Sequence, residues 1–239
     1  MLEVNNVVRR FGGLVAVDHV TMRVQEQEIV TLIGPNGAGK TTLFNLIAGV
    51  LPVNKGSIHF RGNAIAGKNT AKISQLGLAR TFQIPQLFTS MTVLETTVIG
   101  ALAKTRSIQE AHHNAVQVLK RVGLEDRLNH ASDTLTISGK KRLEIARALA
   151  TDPFMILLDE VMAGLNRPEV HLLLQLIRNL RDDGVTVLLV EHNIEAVLNI
   201  ADRIVVLDQG KKIADGPPRE VLNDKSVIGA YLGEDYVIA

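Results

Sequence analysis

Short apolar runs and helix-spaced apolar stripes alternate along most of the chain. Residues 2–8 and 20–33 intersperse Val, Ile, Thr and Met with polar residues and predict β segments. The run Glu28-Ile-Val-Thr-Leu-Ile33 leads into a glycine-rich loop, and residues 42–49 then predict a helix. Pro52 and Gly56 mark a turn before a strand over Ser57 to Phe60. From about 88 to 145 the pattern turns helical. Ser107 and Glu110 have capping-box spacing, and Ile108, Ala111, Ala115, Val118, Leu119 and Val122 follow at helical intervals until Gly123. His112, His113, Asn114 and Gln117 fall on the wet face of that helix. Strand-helix alternation resumes with a buried strand over Phe154 to Leu158 and a helix over Glu169 to Arg181, with Pro168 in its first turn. Asp182-Asp183-Gly184 turns the chain into a strand over Val185 to Val190, and Ile204 to Leu207 predicts another. Short apolar strands separated by helices imply an α/β fold with a mostly parallel sheet covered on both faces. The helical stretch 88–145 is an insertion dividing core segments 1–87 and 146–239.

Composition narrows the class. The 239 residues are 46% apolar, which excludes a disordered chain, and the 3% aromatic content without Trp leaves the core to Val, Ile, Leu and Ala. Lys and Arg number 26 against 25 Asp and Glu, so no overall electrostatic footprint points to nucleic acid. Cys is absent, which removes disulfides, thiolate metal sites and thiol nucleophiles together. No basic segment followed by an apolar stretch opens the sequence, and no apolar run approaches the ~20 residues a membrane helix requires. Any membrane role is expected to come through a partner.

Gly34-Pro-Asn36-Gly37-Ala38-Gly39-Lys40-Thr41 fits the phosphate-loop pattern and lies between a predicted strand and a predicted helix, as that pattern requires. Glycines let the backbone approach phosphates closely and turn consecutive N–H groups inward, while the helix that continues through Thr42 adds its positive end. Lys40 is expected to reach the β- and γ-phosphates, and the Thr41 hydroxyl to ligate Mg²⁺. Met155-Ile-Leu-Leu-Asp159-Glu160 is an apolar strand ending in two carboxylates. Asp159 is expected to hold Mg²⁺, and Glu160 to orient or deprotonate the attacking water. His192 follows the strand ending at Val190-Glu191 and is positioned to bond a γ-phosphate and that water. His19, His59, His112, His113, His130 and His171 carry no such context and read as surface or core residues.

These elements, in this order, resemble the ABC ATPases over essentially the whole chain. The resemblance implies a P-loop NTPase (RecA-like) core with an N-terminal antiparallel β subdomain and an inserted helical subdomain. It makes Gln83, in Thr81-Phe-Gln83, the residue that joins Mg²⁺ and water sensing to the helical subdomain, and Phe11 the ring that stacks on adenine. It matches Asp159 and Glu160 to the Walker B aspartate and catalytic glutamate, and His192 to the switch histidine. Phe11-Gly-Gly-Leu-Val-Ala-Val17, Gly77-Leu-Ala-Arg-Thr-Phe-Gln83, Met91-Thr-Val-Leu-Glu95, Leu143-Glu-Ile-Ala-Arg-Ala-Leu149 and Ala230-Tyr-Leu-Gly233 are similar to the ATPases of branched-chain amino acid importers. The implied partners are integral membrane permease subunits and a second ATPase subunit that shares an ATP sandwich. A periplasmic or extracellular solute-binding protein is implied indirectly, and residues Pro85 to Met91 would meet a coupling helix of the permease. The cytoplasmic face of the membrane is the implied location, with ATP and Mg²⁺ the implied ligands.

The chain departs from the family at the signature motif, usually LSGGQ, which meets the partner subunit's ATP. Without a gap the matching residues are Leu135-Thr136-Ile137-Ser138-Gly139; with a two-residue slide they are Ile137-Ser138-Gly139-Lys140-Lys141. The ungapped register is preferred, and Thr136 then supplies the hydroxyl. Val161 stands where a proline is usual, and Asn166 where the D-loop has aspartate. Two other functions remain open at this point. One is a soluble ABC ATPase of DNA repair or translation, disfavoured by the absence of room for a coiled-coil insertion. The other is a regulatory nucleotide-binding subunit that needs a different ATPase as partner.

Overall fold

A computed structural model describes residues 1–82, 88 and 90–232. In chain order the strands and helices begin with β1 (Leu2–Phe11), β2 (Leu14–Val24), β3 (Ile29–Ile33), α1 (Lys40–Ile47), β4 (Lys55–Phe60), β5 (Asn63–Ala64) and α2 (Thr70–Gln75). They continue with β6 (Leu78–Arg80), α3 (Val93–Ala101), α4 (Ile108–Arg121), α5 (Ile137–Leu149), β7 (Met155–Asp159) and α6 (Arg167–Asp182). The last are β8 (Thr186–Val190), α7 (Ile194–Ile200), β9 (Arg203–Asp208), β10 (Lys211–Gly216), α8 (Pro218–Leu222) and α9 (Lys225–Leu232). Two compact units emerge, one formed by Met1–Ile73 with the described part of Thr186–Ala239, the other by Ser74–Val185.

The first unit holds an antiparallel sheet of order β2-β1-β4-β5 and strands of order β10-β9-β3-β8. β3 runs parallel to both β8 and β9, and all five of its residues are buried. That two-sided burial explains its unbroken apolar pattern. Alternation in β1 fails for a different reason. Asn6 has φ +49 and the pairing with β2 shifts register between Val4 and Val7, so consecutive Val7 and Val8 are both buried. The segment 20–33, read as β throughout, is two strands. Gln27 turns left-handed at φ +57, its N–H donates to the Thr186 hydroxyl (3.0 Å), and the Gln25 N–H donates to the Glu28 carboxylate (2.7 Å). Beneath β3 and β9, Ile33, Ile204 and Val206 pack with Val197 of α7, Val221 of α8 and Val227 of α9. The pattern had not announced β10, whose residues are exposed or half-buried and lack a clean alternation.

In the second unit β6 pairs in parallel with β7, and α3 packs against both α4 and α5. α4 follows its predicted stripe through Ala111, Ala115, Val118, Leu119 and Val122, but Ile108 is 73% exposed because it opens the helix one residue past the cap. The capping box is half formed. The Ser107 hydroxyl accepts from Glu110 N–H (3.2 Å), whereas the Glu110 carboxylate takes the Thr105 hydroxyl at 2.5 Å. The predicted strand over 154–158 begins one residue later. Phe154 is 43% exposed, and its N–H donates to the Gly77 carbonyl (2.8 Å) before β7 starts. Among the described residues no helix is long and apolar enough to cross a membrane.

Arg203, at the start of β9, fastens the first unit. Its guanidinium donates to Asp215 of β10 (2.6 Å), to the Arg23 carbonyl of β2 (3.0 Å) and to Glu28 before β3 (3.4 Å). Burial alone would raise the Asp215 carboxyl, but hydrogen bonds from Arg203 and Lys212 outweigh it and hold the group below the usual carboxylate range. A carboxyl depressed in the folded state stabilises above its unfolded value, and loses that contribution as pH falls through the folded value. Arg203→Met is expected to cost about 2 kcal/mol at neutral pH, a figure discounted for partial exposure. Urea denaturation at a series of pH values should show the deficit shrinking below about pH 4.

Candidate functional site

The candidate residues fall on both units. In the first, β3 delivers the chain into the glycine loop at its C-terminal end. Gly34 has φ +151, and a Cβ there would stand 2.0 Å from the Leu207 carbonyl oxygen. Asn36 and Gly37 are exposed and Ala38 is buried. Gly39, at φ +99, is the N-cap of α1, and no side chain caps that end or places an acid in its first turn. The first N–H groups of α1 and the positive end of its dipole are thereby left to an anion. Lys40 is buried, and its ammonium donates to the Gly34 (2.7 Å) and Pro35 (2.9 Å) carbonyls. Thr41 is exposed and Thr42 half-buried immediately beyond it. A cationic group held over a loop closed to a Cβ at Gly34 and Gly39 suits a polyphosphate.

His192 belongs to the same edge. Val190 ends β8 opposite Leu32 of β3, so the chain leaves β8 level with the start of the loop. His192 is exposed there, between buried Glu191 and Asn193, whose side chain caps α7. Phe11 ends β1 with 42% exposure, and the Arg9 guanidinium lies 4.5 Å from its ring centroid. That guanidinium covers one face of the ring. Tyr231 of α9 packs into the cluster beneath β3, with its hydroxyl buried beside the Gly34 backbone. Burial pushes this phenol up to about 12, with the nearby Gly34 backbone opposing.

In the second unit every residue of β7 is buried, which carries Asp159 to the strand end with 2% exposure. The Arg80 guanidinium, on the adjacent β6, stands 3.3 Å from the Asp159 carboxylate. Burial pushes the Arg80 guanidinium down from its ordinary value, while Asp159 pulls the other way. Glu160 follows with a left-handed backbone, φ +47. Thr136 caps α5, accepting from Gly139 N–H at 3.1 Å, and is exposed; Ser138 and Gly139 are buried in the first turn. Of the two candidate hydroxyls, Thr136 therefore occupies the open position. Asn166 has a local duty in place of the usual aspartate. It caps α6 in a reciprocal box with Glu169, at 3.0 and 3.1 Å. Gln83 lies outside the described residues, as does Gly233. Of the segment Pro85 to Met91, only residues 88, 90 and 91 are within them.

Sequence reasoning missed three charged residues beside these positions. Arg80 meets Asp159, Lys141 donates to the Glu160 carbonyl (2.9 Å), and Glu144 accepts the Phe82 N–H (2.9 Å). No local signal marks Lys141 and Glu144, because α5 also carries Lys140, Arg142 and Arg147 and the two differ from these only in being buried.

Residues 17–163 match the family model described as ABC transporter, and residues 211–237 match one described as branched-chain amino acid ATP-binding cassette transporter. The high-affinity branched-chain amino acid transport ATP-binding protein LivG of Salmonella typhimurium is 42% identical, with 98% of each chain covered. A solved nucleotide-free ATP-binding cassette from an ABC transporter is similar with a TM-score of 0.90 and 33% identity, covering 98% of this chain and 99% of that one. A dimeric, post-hydrolysis cassette bound to ADP and phosphate is similar with a TM-score of 0.82 and 27% identity, covering 92% of this chain and 99% of that one.

Arg80→Ala leaves the Asp159 carboxylate buried without its guanidinium, and is expected to lower stability by about 2 kcal/mol. Adding Asp159→Asn should return most of the loss. Urea denaturation of the two single variants and the double variant checks this; strictly additive losses would mean the pair is not coupled.

Proposed function

The chain belongs to the ABC transporter family of ATP-binding proteins, and from that premise we propose that it hydrolyses ATP to drive import of branched-chain or related amino acids. The observation that carries the chemistry is the Lys40 ammonium held on the Gly34 and Pro35 carbonyls above an uncapped helix start. Incoming phosphates replace those carbonyls as acceptors, and the loop from Gly34 to Thr42 wraps them with N–H donors while Phe11 stacks on adenine. By the family resemblance, Thr41, Asp159 and Gln83 would supply hard-oxygen donors of the kind Mg²⁺ prefers. Bound there, the ion would neutralise charge on the β- and γ-phosphate oxygens.

Hydrolysis is an in-line displacement. Glu160 orients a water and takes its proton as the water oxygen bonds to the γ-phosphorus. The bond to the β–γ bridging oxygen breaks, and the electron pair leaves with ADP. His192 bonds the γ-phosphate and steadies the water. A second ATPase subunit completes the site, with the Thr136 hydroxyl and the start of α5 facing its nucleotide. The dimeric similar cassette supports this arrangement. The similarity to LivG, described as a branched-chain amino acid transport ATP-binding protein, supports permease partners, an indirect solute-binding partner and a place on the cytoplasmic face of the membrane. The insertion 88–145 is the lever, with the segment after Gln83 meeting the permease. Ile137, 60% exposed where the motif usually has glycine, favours a different ATPase chain as the second subunit.

Lys40→Ala is expected to reduce turnover at least about a hundredfold and to weaken nucleotide binding. Near-normal hydrolysis would remove the loop from the mechanism. Glu160→Gln should bind ATP without splitting it. Light scattering of this variant with ATP distinguishes a self-sufficient pair, which doubles in mass, from a subunit that needs a different partner and stays monomeric.

A further inference from the structure

The second unit contains a connection that the roles above leave unused. Lys141 lies in the second turn of α5, five residues past the Thr136 cap, and is only 6% exposed. A buried ammonium requires strong acceptors in fixed positions. One of them is the backbone carbonyl of Glu160, 2.9 Å away. The same carbonyl accepts from Ala163 N–H at 3.2 Å, so two donors arriving from different elements fix the orientation of the peptide after Glu160. That peptide follows a glutamate at φ +47, a conformation a long side chain rarely adopts without outside support. Held in this way, the peptide keeps Glu160 in its left-handed conformation, and that conformation sets the direction of the Cα–Cβ bond as the chain leaves β7.

α5 holds the neighbouring segment as well. One turn further on, Glu144 is 2% exposed and accepts the Phe82 N–H at 2.9 Å, immediately before Gln83, while Arg147 stands 3.8 Å from the same carboxylate oxygen. A single helix thus carries the exposed Thr136 cap at its start, the tether to Glu160 in its second turn, and the tether to Phe82 in its third.

We propose that Lys141 is a positioning residue: it holds the Glu160 backbone in the conformation that aims the carboxylate, and so links Glu160 to the helix whose N-terminus meets the second subunit's nucleotide. The proposal rests on Glu160 being the group that orients the water. Contact at the start of α5 then bears on the carboxylate of the same chain through one hydrogen bond, which ties hydrolysis to assembly.

The test uses the full chain in the assembly in which the wild type turns over ATP, with Lys141→Met, Lys141→Arg and Glu160→Gln side by side. Lys141→Met is expected to lower kcat by about tenfold or more with KM for ATP within about twofold, the pattern of a misplaced group with binding retained. Lys141→Arg, which keeps a cationic donor of similar reach, should recover most of the rate. Hydrogen exchange over residues 159–164 should quicken in Lys141→Met and not in Lys141→Arg. If Lys141→Met does not fold, Lys141→Gln carries the same comparison. Wild-type kcat in Lys141→Met, or failure of Lys141→Arg to recover any rate, overturns the proposal. Retained turnover in Glu160→Gln overturns the Glu160 reading instead, so the two failures are distinguishable.

Discussion

The candidate site depends on two places where backbone touches backbone. A Cβ on Gly39 would lie 2.3 Å from the Ala16 carbonyl oxygen, and one on Gly34 2.0 Å from that of Leu207. The loop between them is therefore clamped by β2 on one side and by the end of β9 on the other. The clamp is also hydrogen-bonded: Gly210 N–H donates to the Ala38 carbonyl (3.1 Å), and Asp18 N–H donates to the Gly210 carbonyl (2.8 Å). A phosphate cradle has to exist before the phosphate arrives, or its ordering is subtracted from the binding energy. Here the ordering is done by strands that are hydrogen-bonded for their own reasons.

With the loop fixed, one ammonium can serve two states. Lys40 satisfies the Gly34 and Pro35 carbonyls, and on the proposed reading it exchanges them for phosphate oxygens. Asp159 shows parallel logic in the other unit, where the Arg80 guanidinium stands beside a carboxylate that an incoming cation would also suit. In both cases a buried charge already has a partner, carbonyl oxygens for Lys40 and a guanidinium for Asp159, which avoids the large desolvation cost of an isolated ion.

Residues 34–42 were legible in the sequence because every requirement on them is local: a buried strand, glycines at fixed offsets, a lysine and a helix. The strand delivering Asp159 was legible for the same reason. Arg80, Lys141 and Glu144 were not, because what separates a buried charge from a solvated one is a neighbour distant along the chain. Arg80 meets Asp159 across 79 positions, and Glu144 meets Phe82 across 62. The break within 20–33 was hidden similarly, since the Gln27 turn is held by Thr186, 159 positions away. The bulge at Asn6 placed two adjacent valines inside, which no strict period of two anticipates.

The most direct test of the clamped loop is the affinity for Mg-ATP of Gly39→Ala measured by calorimetry against Gly62→Ala. Both glycines have positive φ, but a Cβ on Gly62 meets nothing within 4 Å, so that variant bears the left-handed cost without the collision. Gly39→Ala is predicted to lose at least about a hundredfold in affinity while remaining folded by circular dichroism, and Gly62→Ala to stay within about threefold of the parent. Parental affinity in Gly39→Ala would contradict the claim that close backbone contact shapes the phosphate cradle.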